Sequence, residues 1–412
     1  HITMPKEHIN NLYSWLLNFQ IFNDQYKRRY DASKQYDEND IFIFFDPTWR
    51  HPDYPDGLAF FDTKHNCAAI LGMSYFGEIK KGTLTLAWAT AARNNYVSCH
   101  GGLKIFRKEG DSYVASFFGL SGSGKSTLTH AKHDDKYDIE VLHDDAFVIS
   151  VEDGSSVALE PSYFDKTNDY PAGHREQDYF VTVQNCGVTL DENGRKVLVT
   201  EDIRNGNGRT IKSRYSTPNR VDKIKEPIQS IFWIMKDDAL PPLVKITDPR
   251  LASILGCTLM TKRSTAENTG AGANLDALVI EPYANPFRVY PLVEDYEKFK
   301  ALFDKGVDCY IINTGDFLGK KVTKEVSLGV IETVVDGKAN FELFGGLPGM
   351  EYLPVEGYEV PEMSGDYAAL IRDRMQFRLD YLKAFNDANP EHPIPTDALE
   401  SIKTIERFID VL

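Results

Sequence analysis

VASFFGLSGSGKSTLTHA, residues 114–131, is the stretch on which the fold turns. Five apolar or small residues run straight into Gly119-Leu120-Ser121-Gly122-Ser123-Gly124-Lys125-Ser126, which satisfies G-x-x-x-x-G-K-[ST] in full. Thr127 and the residues after it can open a helix. Glycines there let backbone N–H groups close around phosphate oxygens, and a following helix start adds a favourable dipole. Lys125 supplies a point charge for β- and γ-phosphates, and the Ser126 hydroxyl suits a divalent metal. The expected element is a strand, a phosphate-binding turn and a helix. By itself it fits a kinase, another phosphoryl-transfer enzyme or a non-catalytic nucleotide-binding module.

Outward from this stretch, short apolar runs read as strands at 41–45, 58–61, 140–142, 231–235 and 309–312. Ile9, Leu12, Leu16 and Phe19 recur at helical spacing. Ala368, Ile371, Met375, Leu379 and Leu382 do the same, as do Leu399, Ile402, Ile405, Ile409 and Leu412. Strands mixed with helices and punctuated by Gly and Pro define an α/β or mixed α+β architecture. Residues 204–214 and 263–274 are polar and glycine-bearing, the second suiting a lid over a site.

Composition limits the partners. The 412 residues carry 46 Lys and Arg against 61 Asp and Glu, a net charge of -15. Such a chain is a poor binder of nucleic acid, and an anionic ligand needs a local positive pocket. No apolar run approaches the roughly 20 residues that cross a bilayer. Five scattered cysteines, Cys67, Cys99, Cys186, Cys257 and Cys309, show neither zinc spacing nor a disulfide framework, so a reducing cytoplasm is expected. His1 to Thr3 read as additions ahead of Met4 rather than a signal peptide.

An acid is needed for the metal's water shell, and Asp144-Asp145 follow Val141-Leu142 where a strand would end. Upstream stand Tyr75-Phe-Gly-Glu-Ile-Lys80-Lys81-Gly82 and His100. In this order and spacing the motifs resemble ATP-dependent phosphoenolpyruvate carboxykinases. The resemblance continues through 159–167, ending at Lys166-Thr167, then Asn207-Gly208-Arg209, Asp238 to Val244, Lys262 with Glu267, and Tyr310-Ile-Ile-Asn-Thr-Gly315.

The resemblance implies a carboxykinase-like P-loop domain over 96–412 with a lid near 261–275, and a reduced, truncated N-terminal substrate-side domain over 1–95. It implies ATP, Mg²⁺ and Mn²⁺ as cofactors. Lys81, His100 and Asp145 would ligate the Mn²⁺, a Mg²⁺ would travel with ATP on Ser126, and Asp144 is a further metal candidate beside Asp145. Tyr75, Lys80, Lys166, Arg209 and Lys262 would join Lys125 in catalysis on a small acid, oxaloacetate or phosphoenolpyruvate. Lys321 and Ser327 stand where the family contacts adenosine. The family's Gly-Arg-Ser-Pro-Lys motif, whose arginine holds the substrate carboxylate, has no counterpart before Tyr75. Arg28, Arg29 and Arg50 are the basic residues that could replace it. Gly-Asp-Asp has become His143-Asp144-Asp145.

Overall fold

A computed structural model describes residues 1–19, 23–120, 122–167, 187–199, 209–213, 219–262 and 277–411. The architecture is mixed α/β, as expected. The chain divides into two compact units, His1–Thr90 with Ala158–Asp222, and Ala91–Val157 with Lys223–Leu412. The sequence division at 95/96 had run the second domain unbroken to 412. Residues 158–222 group with the first unit, and within them Ser162–Lys166 pairs with Arg209–Ser213 as an antiparallel hairpin. That hairpin also docks on the N-terminal helix, Ser162 Oγ donating to Leu17 O at 2.9 Å.

In the first unit, a four-stranded sheet runs in the order Ile2–Thr3, Phe42–Asp46, Cys67–Leu71, Leu58–Asp62, the last antiparallel to its neighbour. Period-two alternation turns Ile43, Phe45, Ala68 and Ile70 inward, against Phe76, Ile79 and Leu86 of the helix Phe76–Arg93. That helix is apolar on most sides, so no single stripe announced it in the sequence. The helix Ile9–Phe19 forms where the spacing put it, but not on the expected face. Ile9 and Leu16 are exposed, whereas Asn18 is fully buried. Trp15 Nε1 donates to Thr83 Oγ1 at 3.0 Å, and Asn18 Nδ2 to Glu160 Oε1 at 2.5 Å. Inward hydrogen bonds, invisible to an apolar count, go with the docking face.

An eight-stranded sheet organises the second unit. Its order is Glu342–Leu343, Met350–Tyr352, Leu243–Ile246, Asp308–Asn313, Ser230–Met235, Asp111–Phe118, Gly102–Lys108, Asp138–His143. Asp308–Asn313, Ser230–Met235 and Asp111–Phe118 are mutually parallel. Their register sets Phe117, Phe232 and Tyr310 in a stacked row, with centroids 5.1 and 4.9 Å apart. All the sequence-read strands lie on observed ones. Near the end, Gly365–Ala388 and Thr396–Ile409 are helices whose buried sides include Ile371, Met375, Leu382, Ile402 and Ile405. Leu412 falls outside the described residues. Ligands of open α/β sheets bind at the carboxyl ends of parallel strands, and the phosphate-binding turn leaves Phe118 at such an end.

Candidate active site

Asp111–Phe118 delivers the chain to Gly119, and the helix Lys125–His130 follows. A Cβ on Gly119 would sit 2.4 Å from Ser123 Oγ, so only glycine fits there. Gly122 and Gly124 take positive φ, 73° and 102°, which ordinary residues resist. Ser123 N donates to Leu120 O at 3.0 Å and Leu128 N to Gly124 O at 2.9 Å, closing the turn onto the helix that carries Lys125, Ser126 and Thr127. Ser121 lies outside the described residues.

Two residues that motif reading passed over hold this turn from outside. Thr314 Oγ1 donates to Ser123 O at 2.7 Å, and Lys236 Nζ to Gly122 O at 2.7 Å. In a trans peptide the N–H points opposite its C=O. Drawing the Ser123 carbonyl to Thr314 therefore turns the Gly124 N–H the other way, as a phosphate nest needs. Thr314 was within reach of the sequence, since it belongs to the Asn-Thr-Gly motif. Lys236 had no such signal. Lys321 Nζ reaches Thr314 O at 3.3 Å, which places it beside the same turn. Ser327 is buried, its Oγ donating to Thr323 O at 3.1 Å within its own helix.

Beneath the turn, the buried Lys104 closes the C-terminal end of that helix, donating to Leu128 O at 2.7 Å and Ala131 O at 3.1 Å. Its Nζ is 2.9 Å from His133 Nε2, and His133 Nδ1 is 2.8 Å from Glu332 Oε1. Burial, reinforced by the Lys104 charge, pushes the His133 pKa down to about 4. Burial likewise pulls the Lys104 ammonium well below its usual range. A lysine inside an apolar strand gave no hint of this role.

Asp144 and Asp145 are adjacent, yet they serve different partners. Asp144 Oδ2 is 3.0 Å from Nε2 of His130, on the phosphate-binding helix. Asp145 Oδ1 is 3.0 Å from Nε2 of His100. The split is set by His143, whose buried Nδ1 accepts from both Asp145 N and Ala146 N at 3.0 Å and so fixes the turn. Pairing of His100 with Ala146 across neighbouring strands brings the imidazole alongside. His100 Nδ1 is 2.5 Å from Ala284 O, and a carbonyl only accepts, so Nδ1 carries the hydrogen. Nε2 faces a carboxylate oxygen, an arrangement that calls for a proton or a cation between them. An octahedral ion with bonds of about 2.1 Å has neighbouring donors about 3.0 Å apart, which is this spacing. A mixed N/O pair suits Mn²⁺ better than the all-oxygen-seeking Mg²⁺. Among the described residues no group of three His, Cys, Asp or Glu completes such a site. The third expected donor is an amine, Lys81, carried by the first unit on Phe76–Arg93 with Nζ 5.8 Å from the Trp88 ring centroid.

Tyr75, Lys80 and Arg209 gather around Phe164 in the first unit. Tyr75 lies 6.2 Å from its ring centroid, Lys80 Nζ 5.9 Å and the Arg209 guanidinium 5.6 Å. The hairpin pairs Lys166 directly with Arg209, bringing together two residues far apart in sequence. Burial raises the Tyr75 phenol pKa, and the positive Arg209 and Lys80 oppose the rise. Lys80 is itself buried, in a 3.3 Å ion pair with Glu160. Of the basic residues proposed for the carboxylate, Arg29 pairs with Asp222. Arg50 folds onto its own loop, donating to Pro47 O and Trp49 O at 2.6 Å. Arg28 lies on the helix Asp24–Asp31. Lys262 ends the short strand Met260–Lys262, its N donating to Lys236 O at 3.3 Å. Asn207, Gly208, Glu267 and the expected lid beyond Lys262 fall outside the described residues.

A phosphate-binding turn, a carboxylate tied to its helix and a histidine–carboxylate pair beside it are the parts a nucleotide-dependent phosphoryl-transfer enzyme needs. Comparison with known proteins agrees. The sequence profile described as phosphoenolpyruvate carboxykinase matches residues 27–363. The phosphoenolpyruvate carboxykinase (ATP) of Aeropyrum pernix is 24% identical over 363 residues, covering 79% of this chain and 70% of that protein. The chain belongs to the phosphoenolpyruvate carboxykinase family and is an enzyme of that class.

Proposed function

We propose that the protein converts oxaloacetate and ATP to phosphoenolpyruvate, CO₂ and ADP. The observation that carries this reading is the divergence of Asp144 and Asp145. One carboxylate serves the nucleotide side and its neighbour serves a separate ion pocket with His100. A kinase acting on a simple hydroxyl needs only the first.

In this reading Lys125 and the turn's N–H groups hold the β- and γ-phosphates, with Ser126 and Asp144 on the nucleotide's Mg²⁺. His100 and Asp145 would hold Mn²⁺, and the family motif would supply Lys81 as a third donor, whose amine would have to be neutral beside the cation. When bound, that ion offers positive charge to the oxygen that becomes negative as CO₂ leaves. The carbon–carbon bond breaks toward the carbonyl, and the enolate oxygen attacks the γ-phosphorus. The bond from that phosphorus to the β-bridging oxygen breaks, releasing ADP. Arg209 neutralises charge between acid and phosphate, and Tyr75 lies against the acid. Lys80, Lys166 and Lys262 complete the positive surroundings, and Lys321 and Ser327 lie toward the adenosine. Mn²⁺, MgATP and oxaloacetate given to the purified protein should yield phosphoenolpyruvate. ATP bound tightly with no such product refutes the reading.

A second reading, a kinase for a different small acid or a protein hydroxyl, draws on Arg29 and Arg50. Both are engaged elsewhere rather than displayed for a carboxylate. It predicts ATP turnover without CO₂ release. The described cysteines Cys67, Cys99, Cys257 and Cys309 are free thiols, and among the described residues no helix is long and apolar enough to cross a membrane. Both facts suit work in the cytoplasm.

A further inference from the structure

The carbonyl that fixes His100 comes from an energetically costly place. Tyr283 and Ala284 both take φ of 53°, a left-handed conformation that costs residues with a Cβ roughly 1–2 kcal/mol each. Such strain persists only where the surroundings over-determine it. Here the Tyr283 ring stacks on Phe299 at 4.5 Å and 9°, and its hydroxyl donates to Ser253 O at 3.0 Å. Arg288 reaches two ways from one guanidinium. Its Nε donates to Asp295 Oδ2 at 2.7 Å and an NH2 to Pro282 O at 3.0 Å. Asp295 is buried, and its other oxygen accepts from the Tyr290 hydroxyl at 2.9 Å. Between these anchors Ala284 O meets His100 Nδ1, and Phe287 sets its ring edge-on to the imidazole at 5.5 Å and 89°.

We propose that Arg288 and Asp295 are positioning residues, holding the turn at 282–288 so that Ala284 O locks His100 in its Nδ1–H tautomer with Nε2 turned to Asp145. A pair that merely braced the fold would need the carboxylate but not the second bond to Pro282 O. Backbone carbonyls commonly play this part for metal-bound histidines, and losing such a partner typically weakens the metal about 10–100-fold. The metal arm of the inference rests on the reading of His100 and Asp145 as an ion site. The tautomer arm does not.

The test uses the full chain labelled with ¹⁵N-histidine. Two-bond ¹H–¹⁵N correlation at pH 9 reads each neutral ring's tautomer, and manganese titration followed by electron paramagnetic resonance reads affinity. Arg288→Met with Asp295→Leu removes both charges and should move His100 out of the pure Nδ1–H form. It should weaken Mn²⁺ about 10–100-fold while ATP affinity stays within about twofold. Arg288→Lys is the milder variant. It keeps the charge beside Asp295, but one nitrogen cannot occupy both guanidinium positions, so a tautomer mixture and about a tenfold loss of Mn²⁺ are expected. A folded Arg288→Lys protein whose His100 spectrum and Mn²⁺ affinity match wild type overturns the proposal. If wild type binds no Mn²⁺, the ion-site reading fails, and the tautomer comparison alone decides the positioning role.

Discussion

Thr314→Val removes one hydroxyl that touches the phosphate-binding turn and leaves the side-chain volume nearly unchanged. In the native protein Thr314 Oγ1 donates to Ser123 O at 2.7 Å, beside a residue that is buried. Deleting a donor while its acceptor stays costs about 1–3 kcal/mol, the penalty of an orphaned carbonyl. Gly124, at φ 102°, has the freedom to let the peptide rotate away, taking its N–H off the phosphate position. The loop thus relaxes in the free protein, and ATP must restore it on binding. The loss then appears in affinity, as about a 5- to 140-fold rise in the ATP dissociation constant, and the melting temperature changes little. Isothermal titration with MgATP measures the first and circular dichroism the second. Gly124→Ala supplies a cross-check. The nearest foreign atom to its new Cβ would be Thr314 Cγ2 at 3.8 Å, so its cost of about 1–3 kcal/mol is conformational rather than steric. Both changes act on one peptide, so the double variant should lose less than the sum. A folded Thr314→Val protein that binds ATP within twofold of wild type refutes the reasoning.

Other consequences are as specific. His133 is held neutral, with its pKa near 4 against 6.5 when free, so its contribution is complete above pH 6.5 and is lost as pH falls toward 4. Urea unfolding at pH 7 and 4.5 should show wild type losing at most about 3 kcal/mol more than His133→Gln, less any share that water screens; equal losses would contradict this. The lowered pKa of Asp336 acts below that window, since its stabilisation fades only under the ordinary value of 3.8. Glu160→Gln strands the Lys80 charge in the interior and should cost roughly 3–5 kcal/mol, whereas Lys80→Met with Glu160→Leu should recover most of it. If that recovered protein is also inactive, Lys80 has a chemical role beyond structure; full activity would remove it from the site. Asp145→Asn should weaken Mn²⁺ at least about tenfold with ATP affinity unchanged, and Asp144→Asn should do the reverse. Identical behaviour of the two variants would dissolve the division of labour between them.

Much of the nucleotide half was legible because it rests on local backbone chemistry. Gly119, Gly122 and Gly124 are dictated by space and φ, and Lys125 follows them at fixed spacing. Asp145 stood out beside Asp144 at a strand end, but its partnership with His100 was legible only through family resemblance, for nothing in either segment alone brings residues 45 apart together. What stayed hidden is held by long-range polar contacts. Lys236 sits after an ordinary buried strand, Lys104 inside one, and Ala284 contributes a carbonyl that any residue possesses. The N-terminal helix teaches the same point. Its period was right and its buried face was not, because Trp15 Nε1 and Asn18 Nδ2 make their hydrogen bonds inward. The extent of the first unit was missed for want of the hairpin, whose strands Ser162–Lys166 and Arg209–Ser213 meet only in three dimensions.

The most direct test is ³¹P nuclear magnetic resonance of reaction mixtures of the protein with MgATP, Mn²⁺ and oxaloacetate, the paramagnetic Mn²⁺ being removed by chelating resin before each spectrum. The account predicts a phosphoenolpyruvate resonance growing in step with ADP, and loss of that growth in His100→Ala while MgATP still binds. ADP formed without phosphoenolpyruvate, or phosphoenolpyruvate formed equally well by His100→Ala, would contradict it.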